Sequence, residues 1–176
     1  MKAKKIRSTS PDKVNGKLVK YKLGDCISID CNNGQYLAVL ITGKFNKYYD
    51  FTLLEYYHDS KPTLEDFTNG RYFGTRFGSW EDLTYAVDKR MISCKYVDNC
   101  NEIEGVGHLD LIDDFMLARY SYVNDTIELL AYYKEEIPVR IQKTINAEKF
   151  PAIAFVSRHL VEMKSIIKEK LQLTTE

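Results

Sequence analysis

The sequence predicts an α+β fold, in which an N-terminal curved antiparallel sheet or a small SH3-like β-barrel is followed by C-terminal helices. Three stretches lead to this prediction. Residues 21–42 have the pattern of a β-hairpin, and the aromatic run at residues 45–58 has that of a third strand. Residues 157–171 instead place apolar side chains at helical spacing. Strands early in a chain and helices late are typical of an α+β domain.

The hairpin at residues 21–42 is the stretch around which the rest of the chain is organised. Apolar and polar residues alternate through residues 26–30, which is typical of a half-buried strand. The Asn33-Gly34 pair that follows tolerates the positive φ of a tight turn. The return strand, residues 35–42, is almost entirely apolar, so we expect both of its faces to be covered.

A third strand is predicted after this hairpin. Gly43-Lys44 predicts a second turn. The run rich in Tyr, Phe and Leu from residue 45 to residue 58 predicts a strand that bends or bulges near Asp50. Three strands joined by short turns form a meander, which can begin a small barrel or a strongly curved sheet.

Shorter elements are predicted in the middle of the chain. Pro62 can begin a single helical turn, and residues 91–97 and 105–112 have the pattern of strands. Residues 71–80 combine glycines with aromatic and arginine residues. Glycine inside a strand permits a bulge or a close backbone approach.

Two helices are predicted in the last third. Asp125 and Thr126 can cap the first helix, and Pro138 is expected to end it. Residues 157–171 are the clearest helix of the sequence, with apolar residues on one face and charged residues elsewhere. Residues 151–156 fit either a strand or the first turns of that helix.

The chain of 176 residues is expected to form one α+β domain at residues 18–176, which is β-rich over 18–112 and helix-rich over 113–176. Its hydrophobic content of 44% is sufficient for a sizeable core. Residues 1–17 are charged and contain Pro and Gly, so they predict a disordered basic tail.

Composition disfavours several kinds of partner. Lys and Arg together number 25, as do Asp and Glu, and a neutral chain argues against nucleic acid as the main partner. No apolar run reaches the roughly 18 residues of a membrane span, and no apolar segment of a secretory signal follows the basic N-terminus. Four cysteines in a chain of this length fit reduced thiols, so we expect a cytoplasmic location.

The cysteines do not form a recognised metal motif. They fall into two pairs, Cys26 with Cys31 and Cys94 with Cys100, with His108 further along the chain. Neither pair has the CxxC spacing that is usual in zinc sites. No metal and no cofactor are therefore expected, and Cys26 and Cys94, which lie in strand patterns, are interpreted as small apolar core residues.

The chain is also predicted not to be an enzyme, because no catalytic motif surrounds its histidines. The alternative is a small hydrolase or nuclease with a His–carboxylate site, for instance His58 or His108 with Asp110. The third histidine, His159, falls among charged residues of the predicted C-terminal helix, where a surface role is expected.

A partner-binding surface is predicted within residues 71–80. Arginine interleaved with aromatic residues is typical of protein interfaces. The candidate contact residues are Arg71, Tyr72, Arg76 and Trp80. The same pattern would suit a barrel that stacks single-stranded nucleic acid on its aromatics. It also fits an edge strand whose aromatic residues pack inward.

The sequence LGDCISIDCNNGQYLAVLI, at residues 23–41, resembles the opening of immunity protein family 26 from bacterial polymorphic toxin systems. The positions that carry the resemblance are Gly24, Asp25, Ile27, Ile29, Gly34, Tyr36, Val39 and Leu40. GHLDLI, at residues 107–112, resembles the closing strand of that family, so the resemblance covers about residues 20–112. It implies a cytoplasmic protein without catalytic residues that neutralises a cognate toxin by direct protein–protein contact.

Acidic residues are a second candidate for contact with such a partner. A basic nuclease toxin would be met by acidic groups, and in a neutral chain these must form a local patch. The candidates are Asp110, Asp113 and Asp114. Asp25 has a structural interpretation, because it follows Gly24 at the start of a strand and can accept hydrogen bonds from backbone N–H groups there.

Overall fold

The computed structural model describes residues 13–14, 17–77, 84–112, 116–149 and 157–168. The strands in this part of the chain are β1 (Lys13–Val14), β2 (Lys17–Leu18), β3 (Asp25–Asp30), β4 (Tyr36–Phe45), β5 (Tyr48–His58), β6 (Arg71–Phe77), β7 (Thr84–Ser93), β8 (Ile103–His108), β9 (Met116–Tyr122) and β10 (Ser157–Glu162). The helices are α1 (Leu64–Thr68), α2 (Cys94–Asp98), α3 (Thr126–Lys149) and a 3-10 helix at Met163–Ser165.

The strands β3 to β10 form one sheet with the order β10-β6-β7-β5-β4-β3-β8, and β9 pairs with β7 outside this path. The β7–β9 pair is parallel, whereas the other pairs among the described strands are antiparallel. The α+β class is therefore confirmed, but the sheet is mixed and not purely antiparallel. Strands β1 and β2 form a separate antiparallel pair within the predicted basic tail, most of which lies outside the described residues.

The sheet is open, so a closed barrel is not confirmed. Its two ends, β8 and β10, are not paired with each other. The segments that follow these strands nevertheless meet at a bridge between Leu111 and Ile167. The Ile112 N–H donates to the Ile166 carbonyl over 2.8 Å, and the Lys168 N–H donates to the Asp110 carbonyl over 2.8 Å. These contacts join the segments that follow the two end strands of the sheet.

The predicted hairpin at residues 21–42 is confirmed as β3 and β4. Cys26 pairs with Leu40, and the register continues to Asp30 opposite Tyr36. Positive φ angles occur at Asn32 (56°) and Gly34 (82°) in the connection. The turn thus uses Gly34 as expected, but the asparagine in the left-handed region is Asn32.

The second turn, predicted at Gly43-Lys44, is wrong. Strand β4 continues through these residues to Phe45, and the turn lies at Asn46, which has a φ of 53°. A Cβ on Gly43 would lie 2.8 Å from the Asp50 carboxylate oxygen. The glycine therefore permits close approach beside a bulge in β4.

Both faces of β4 are buried, as the sequence predicts. Leu37, Val39 and Ile41 belong to one core, which also takes residues from α2 and α3. Ala38 and Leu40 belong to a second core on the opposite face, which includes residues from α1 and the two segments beyond the sheet ends. Burial of each large side chain contributes about 1.5–3 kcal/mol, so β4 is central to both cores.

The first C-terminal helix begins as predicted but does not end at Pro138. The Asp125 carboxylate accepts the Glu128 N–H over 2.8 Å and caps α3. Pro138 lies inside the helix, which continues to residue 149. Ile137 and Ile141, on either side of the proline, both pack against the first core, and this packing outweighs the local cost of the proline. No described helix is both long and apolar enough to cross a membrane.

The second C-terminal helix, predicted at residues 157–171, is wrong over its described part. Residues 157–162 form β10, which pairs with β6 from Ser157 opposite Arg76 to Glu162 opposite Arg71. The side chains of residues 161–163 alternate between buried and exposed, as in a strand. Backbone pairing with β6 therefore stabilises this segment more than the helical spacing of its apolar residues would. The helix-rich interpretation of residues 113–176 therefore holds for α3 and not for β9 or β10. Residues 151–156 lie outside the described residues.

The strand predicted at residues 91–97 is correct only in its first half. Strand β7 ends at Ser93, and α2 begins at Cys94. The Ser93 hydroxyl accepts the Tyr96 N–H over 3.4 Å, which is the capping bond of a helix start.

Candidate partner-binding surface

The structure separates the contact residues predicted within residues 71–80. Tyr72 is 1% exposed and lies in the second core, so its ring has no surface to offer a partner. Arg71 is exposed, and its guanidinium pairs with the Glu55 carboxylate over 2.5 Å. The Arg76 backbone lies in β6 while its side chain lies outside the described part, as does the whole of Trp80.

The acidic candidates are only partly described. The Asp110 side chain is 76% exposed, and its carboxylate lies 3.3 Å from Nε2 of His108. Asp113 and Asp114 lie outside the described residues. An acidic contact patch at these positions stays a prediction.

A different surface has the features of an interface, namely an aromatic patch formed by Phe45, Tyr48 and Tyr122. Phe45 is 59% exposed and Tyr122 is 60% exposed. Phe45 and Tyr48 are direct partners across the β4–β5 hairpin. The rings of Tyr48 and Tyr122 meet edge to face, with their centroids 5.0 Å apart. The strands β4, β5 and β9 thus bring three aromatic side chains together at the tip of the β4–β5 hairpin.

The alternation of β5 explains why Tyr48 reaches this surface. Side chains of a strand point to opposite faces in turn, so Tyr48 shares a face with Asp50, Thr52 and Leu54. Leu54 lies in the second core, and Thr52 and Asp50 are buried between that core and the patch. The patch is therefore the exposed end of a face that is otherwise buried.

Hydrogen bonds and one ion pair connect the buried polar side chains beneath the patch, and Oδ1 of Asp50 is buried without a hydrogen-bond partner. The Thr52 hydroxyl donates to the Asp88 carbonyl over 2.9 Å and lies 2.9 Å from the Thr42 hydroxyl. Nζ of Lys89 lies 3.1 Å from Oδ2 of Asp50. The Asp50 side chain is only 3% exposed. Burial raises the pKa of the Asp50 carboxyl, and the neighbouring Lys89 ammonium opposes this shift.

Hydrogen bonds connect the β4–β5 hairpin, which carries Phe45 and Tyr48, to helix α2. The Lys47 carbonyl, in the turn between Phe45 and Tyr48, accepts the Cys94 N–H over 2.9 Å. The Tyr49 hydroxyl donates to the Asp98 carboxylate over 2.7 Å, and burial raises the pKa of this tyrosine. These bonds join the hairpin tip to α2, so the patch has a defined shape before any partner arrives.

The alternative His–carboxylate site is present in part. Nδ1 of His108 lies 2.8 Å from Oδ1 of Asp25, and Nε2 lies 3.3 Å from Oδ1 of Asp110. The second carboxylate oxygen of Asp25 accepts the Lys22 N–H over 2.9 Å, as its structural interpretation predicts. His58 instead packs against the Tyr56 ring, with centroids 4.5 Å apart.

The positions of Asp25 and His108 in the sheet give their contact a structural role. Asp25 and His108 are paired residues of β3 and β8, so their contact joins the two strands at the sheet end. Gly24 has a φ of 92°, and a Cβ there would lie 2.2 Å from the Leu109 carbonyl oxygen. Both ring nitrogens of His108 face carboxylates, so the two contacts together orient its imidazole.

Two of the four cysteines, Cys26 and Cys94, are core residues. Burial raises the pKa of Cys26 and of Cys94 to about 12. Cys100 lies beside an open groove of about 680 Å³, and its pKa is raised by burial and by the hydrogen bond that its thiol donates to Glu102. Protonated thiols are weak nucleophiles. Among the described residues, no three His, Cys, Asp or Glu side chains are grouped so that they could hold a metal ion.

Comparison with protein-family models, curated proteins and solved structures gave no match. The resemblance to immunity protein family 26 therefore remains a prediction from the residues that carry it.

Proposed function

We propose that this chain is a non-enzymatic immunity protein, which neutralises a cognate bacterial toxin by direct protein–protein contact in the cytoplasm of the cell that makes it. The observation that supports this most is the aromatic patch of Phe45, Tyr48 and Tyr122. The resemblance of residues 20–112 to immunity proteins supplies the class of partner.

The patch has the composition of an interface centre. Tyrosine and phenylalanine bring large contact areas at a low cost in side-chain entropy, and such residues carry much of the free energy of protein binding. Single exposed apolar side chains are common on proteins, whereas a cluster of aromatic rings is a mark of binding. The Tyr48–Tyr122 contact and the bond from Cys94 to the Lys47 carbonyl reduce the ordering that binding would require.

A growth assay tests the proposed function. Each neighbouring gene of the native locus is expressed alone in a bacterial host to find a product that arrests growth. The chain is then co-expressed with that product. We expect growth to be restored by the wild-type chain and not by the variant Phe45→Ala/Tyr122→Ala. Failure of the wild-type chain to restore growth against every toxic neighbour would contradict the proposal.

The growth assay includes a control variant in which two other exposed apolar side chains are removed. Val139 and Ile145 are 49% and 39% exposed on α3. Val139 lies about 20 Å along α3 from Thr126, the first residue of the helix, because each residue adds about 1.5 Å. Since Thr126 is close in sequence to Tyr122, this distance separates the control substitutions from the aromatic patch. The variant Val139→Ala/Ile145→Ala should restore growth as the wild-type chain does.

A second candidate function is a small hydrolase or nuclease, and the contact between His108 and Asp110 favours it. Turnover of p-nitrophenyl acetate and cleavage of a fluorescent RNA test it directly. Activity of the wild-type chain that is lost in His108→Gln would support this candidate. The immunity proposal predicts no activity that depends on His108.

A further inference from the structure

We infer that Asn33, in the turn between β3 and β4, is a self-modification site. The Gly34 backbone nitrogen attacks the Asn33 side chain, ammonia leaves, and aspartate or isoaspartate remains. This inference does not depend on the proposed function, because the turn precedes β4 and the aromatic patch lies at the other end of that strand, at Phe45. Its basis is the set of groups around the Asn33 carboxamide, namely the Gly34 nitrogen, the Gln35 N–H and the Tyr57 hydroxyl.

The carboxamide oxygen of Asn33 already has a hydrogen-bond donor. Oδ1 of Asn33 accepts the Gln35 N–H over 3.0 Å, which closes an Asx turn around Gly34. The ring closed by this bond contains both Cγ of Asn33 and the nitrogen of Gly34. Only the bond between these two atoms is missing from a five-membered cyclic imide. Negative charge develops on Oδ1 as that bond forms, and a backbone N–H in this position stabilises it.

The attacking nitrogen of Gly34 is accessible. Gly34 is exposed, and a Cβ added there would meet nothing within 4 Å. Among the described residues, none accepts a hydrogen bond from the Gly34 N–H. Because glycine has no side chain, the backbone can approach the Asn33 carboxamide closely. The nitrogen can therefore reach Cγ without breaking a hydrogen bond of its own.

The Tyr57 hydroxyl lies beside the nitrogen that must leave. Nδ2 of Asn33 donates to Oη of Tyr57 over 2.9 Å, which is within the reach of a general acid. When Cγ becomes tetrahedral, Nδ2 gains a lone pair and can accept the phenol proton. The Tyr57 ring is packed against the Tyr133 ring of α3, with centroids 5.8 Å apart. The fold thus holds the proton donor in position.

The reaction balances with water as its only co-reactant. The Gly34 nitrogen forms a bond to Cγ of Asn33 and loses its proton to water. The bond from Cγ to Nδ2 then breaks, and ammonia leaves with the proton of Tyr57, which solvent restores. Water opens the cyclic imide at either carbonyl. The product at residue 33 is therefore aspartate, or its isomer in which the backbone runs through Cγ.

A second Asn-Gly pair of the chain, Asn69-Gly70, has a different environment. The Gly70 N–H donates to the Phe67 carbonyl over 3.3 Å, and a Cβ at Gly70 would lie 2.5 Å from the Asp66 carbonyl oxygen. The nitrogen is thus already bonded and the glycine is packed against α1, so attack on Asn69 requires local opening of the structure. A third pair, Asn15-Gly16, lies outside the described residues.

Peptide mass spectrometry of the full chain tests the inference at both described pairs. The protein is kept at neutral pH in water enriched in heavy oxygen, which enters the product when the imide opens. We expect Asn33 to be modified at least about tenfold faster than Asn69 in the folded chain. In urea the two rates should become similar, because the dipeptide sequence alone then acts. Equal rates in the folded chain, or the same ratio of rates with and without urea, would overturn the inference.

Two tyrosine variants test the proton donor. Tyr57→Phe keeps a ring against Tyr133 and removes the hydroxyl, so modification of Asn33 in the folded chain should slow at least about tenfold. Tyr56→Phe is the matched control, since the Tyr56 hydroxyl donates to the Ser60 carbonyl over 2.7 Å, and it should leave the rate unchanged. In urea both variants should match the wild-type chain. An unchanged or faster rate in Tyr57→Phe, or equal slowing in both variants, would refute Tyr57 as the donor.

Discussion

Tyr48 and Tyr122 meet edge to face, with ring planes at 69° and centroids 5.0 Å apart, although their strands do not pair with each other. Strand β7 pairs with both of these strands, through Ser93 opposite Tyr48 and Met91 opposite Tyr122. The contact therefore depends on the antiparallel β5–β7 pair and the parallel β7–β9 pair together. The aromatic patch is a product of the mixed sheet.

Loss of the patch side chains should leave the fold intact. Phe45 and Tyr122 are more than half exposed, so Phe45→Ala/Tyr122→Ala should lower the free energy of unfolding by only about 1 kcal/mol. Urea unfolding followed by circular dichroism measures this change. A loss of several kcal/mol would mean that the rings belong to the core, and a binding defect of the variant could then reflect unfolding.

The buried pair of Lys89 and Asp50 supports the sheet beneath the patch. Lys89→Met should cost about 3–5 kcal/mol near pH 7, because it leaves a carboxylate buried without its cation. Asp50→Leu/Lys89→Met removes both charges and should recover most of this loss. Chemical denaturation of the two variants and the wild-type chain compares them. Equal destabilisation by both variants would show that the charge of Asp50 is not the cause.

The cost of Lys89→Met should depend on pH. Burial already raises the pKa of the Asp50 carboxyl above its usual range, and loss of Lys89 removes the interaction that opposes this shift. A carboxyl with a raised pKa in the folded state takes up a proton on folding, so its unfavourable contribution grows as pH rises from the unfolded pKa to the folded one. The variant should therefore lose less stability at about pH 5 than at about pH 7. A loss that is equal at the two pH values would contradict this account.

Two glycines with positive φ should respond differently to alanine. A Cβ at Gly24 would lie 2.2 Å from the Leu109 carbonyl oxygen, whereas a Cβ at Gly34 would meet nothing within 4 Å. Gly34→Ala should cost about 1 kcal/mol for its backbone conformation alone. Gly24→Ala should cost at least about 2 kcal/mol, since the clash adds to the same backbone strain. Thermal unfolding of both variants measures the difference, and equal costs would exclude the clash.

The cysteines should label in two groups. Cys26 is 0% exposed and Cys94 is 1% exposed, and burial raises the pKa of each thiol to about 12. Cys31 and Cys100 are half-buried. Treatment of the native protein with an aromatic disulfide reagent should modify Cys31 and Cys100 first, as read by mass spectrometry of the peptides. Early modification of Cys26 or Cys94 would contradict the described core.

The hairpin was predictable because local signals and tertiary packing agree in it. The alternation in β3, the glycine turn and the continuous apolar run of β4 each specify the same structure. Asp25 was also predictable, since an aspartate after a glycine at a strand start commonly accepts backbone N–H groups. Its second contact, to His108, required the pairing of β3 with β8.

The C-terminal errors come from signals that tertiary structure overrides. The apolar residues from 157 onward have helical spacing, but β6 offers backbone hydrogen-bond partners to all of residues 157–162, so this segment forms a strand. Pro138 is a local helix breaker, yet Ile137 and Ile141 remain packed on the first core. Neither outcome follows from a window of a few residues.

The aromatic patch was not predicted from the sequence, for a similar reason. The prediction favoured residues 71–80, where Arg and aromatic residues are close in sequence, and Tyr72 of this run is a core residue. The aromatic patch combines Phe45 and Tyr48 with Tyr122, from strands that are distant in sequence. The one local signal was the pair of aromatic residues on either side of Asn46-Lys47, where a polar turn exposes its flanking side chains.

The most direct test of the central claim is the affinity of the chain for the toxic neighbour with which it co-purifies, measured by calorimetry for three proteins. We expect tight binding by the wild-type chain and by Val139→Ala/Ile145→Ala. Phe45→Ala/Tyr122→Ala should bind at least about 30-fold more weakly, the loss of about 2 kcal/mol that is typical of interface anchors. Equal affinities of all three proteins would show that the aromatic patch is not the binding surface.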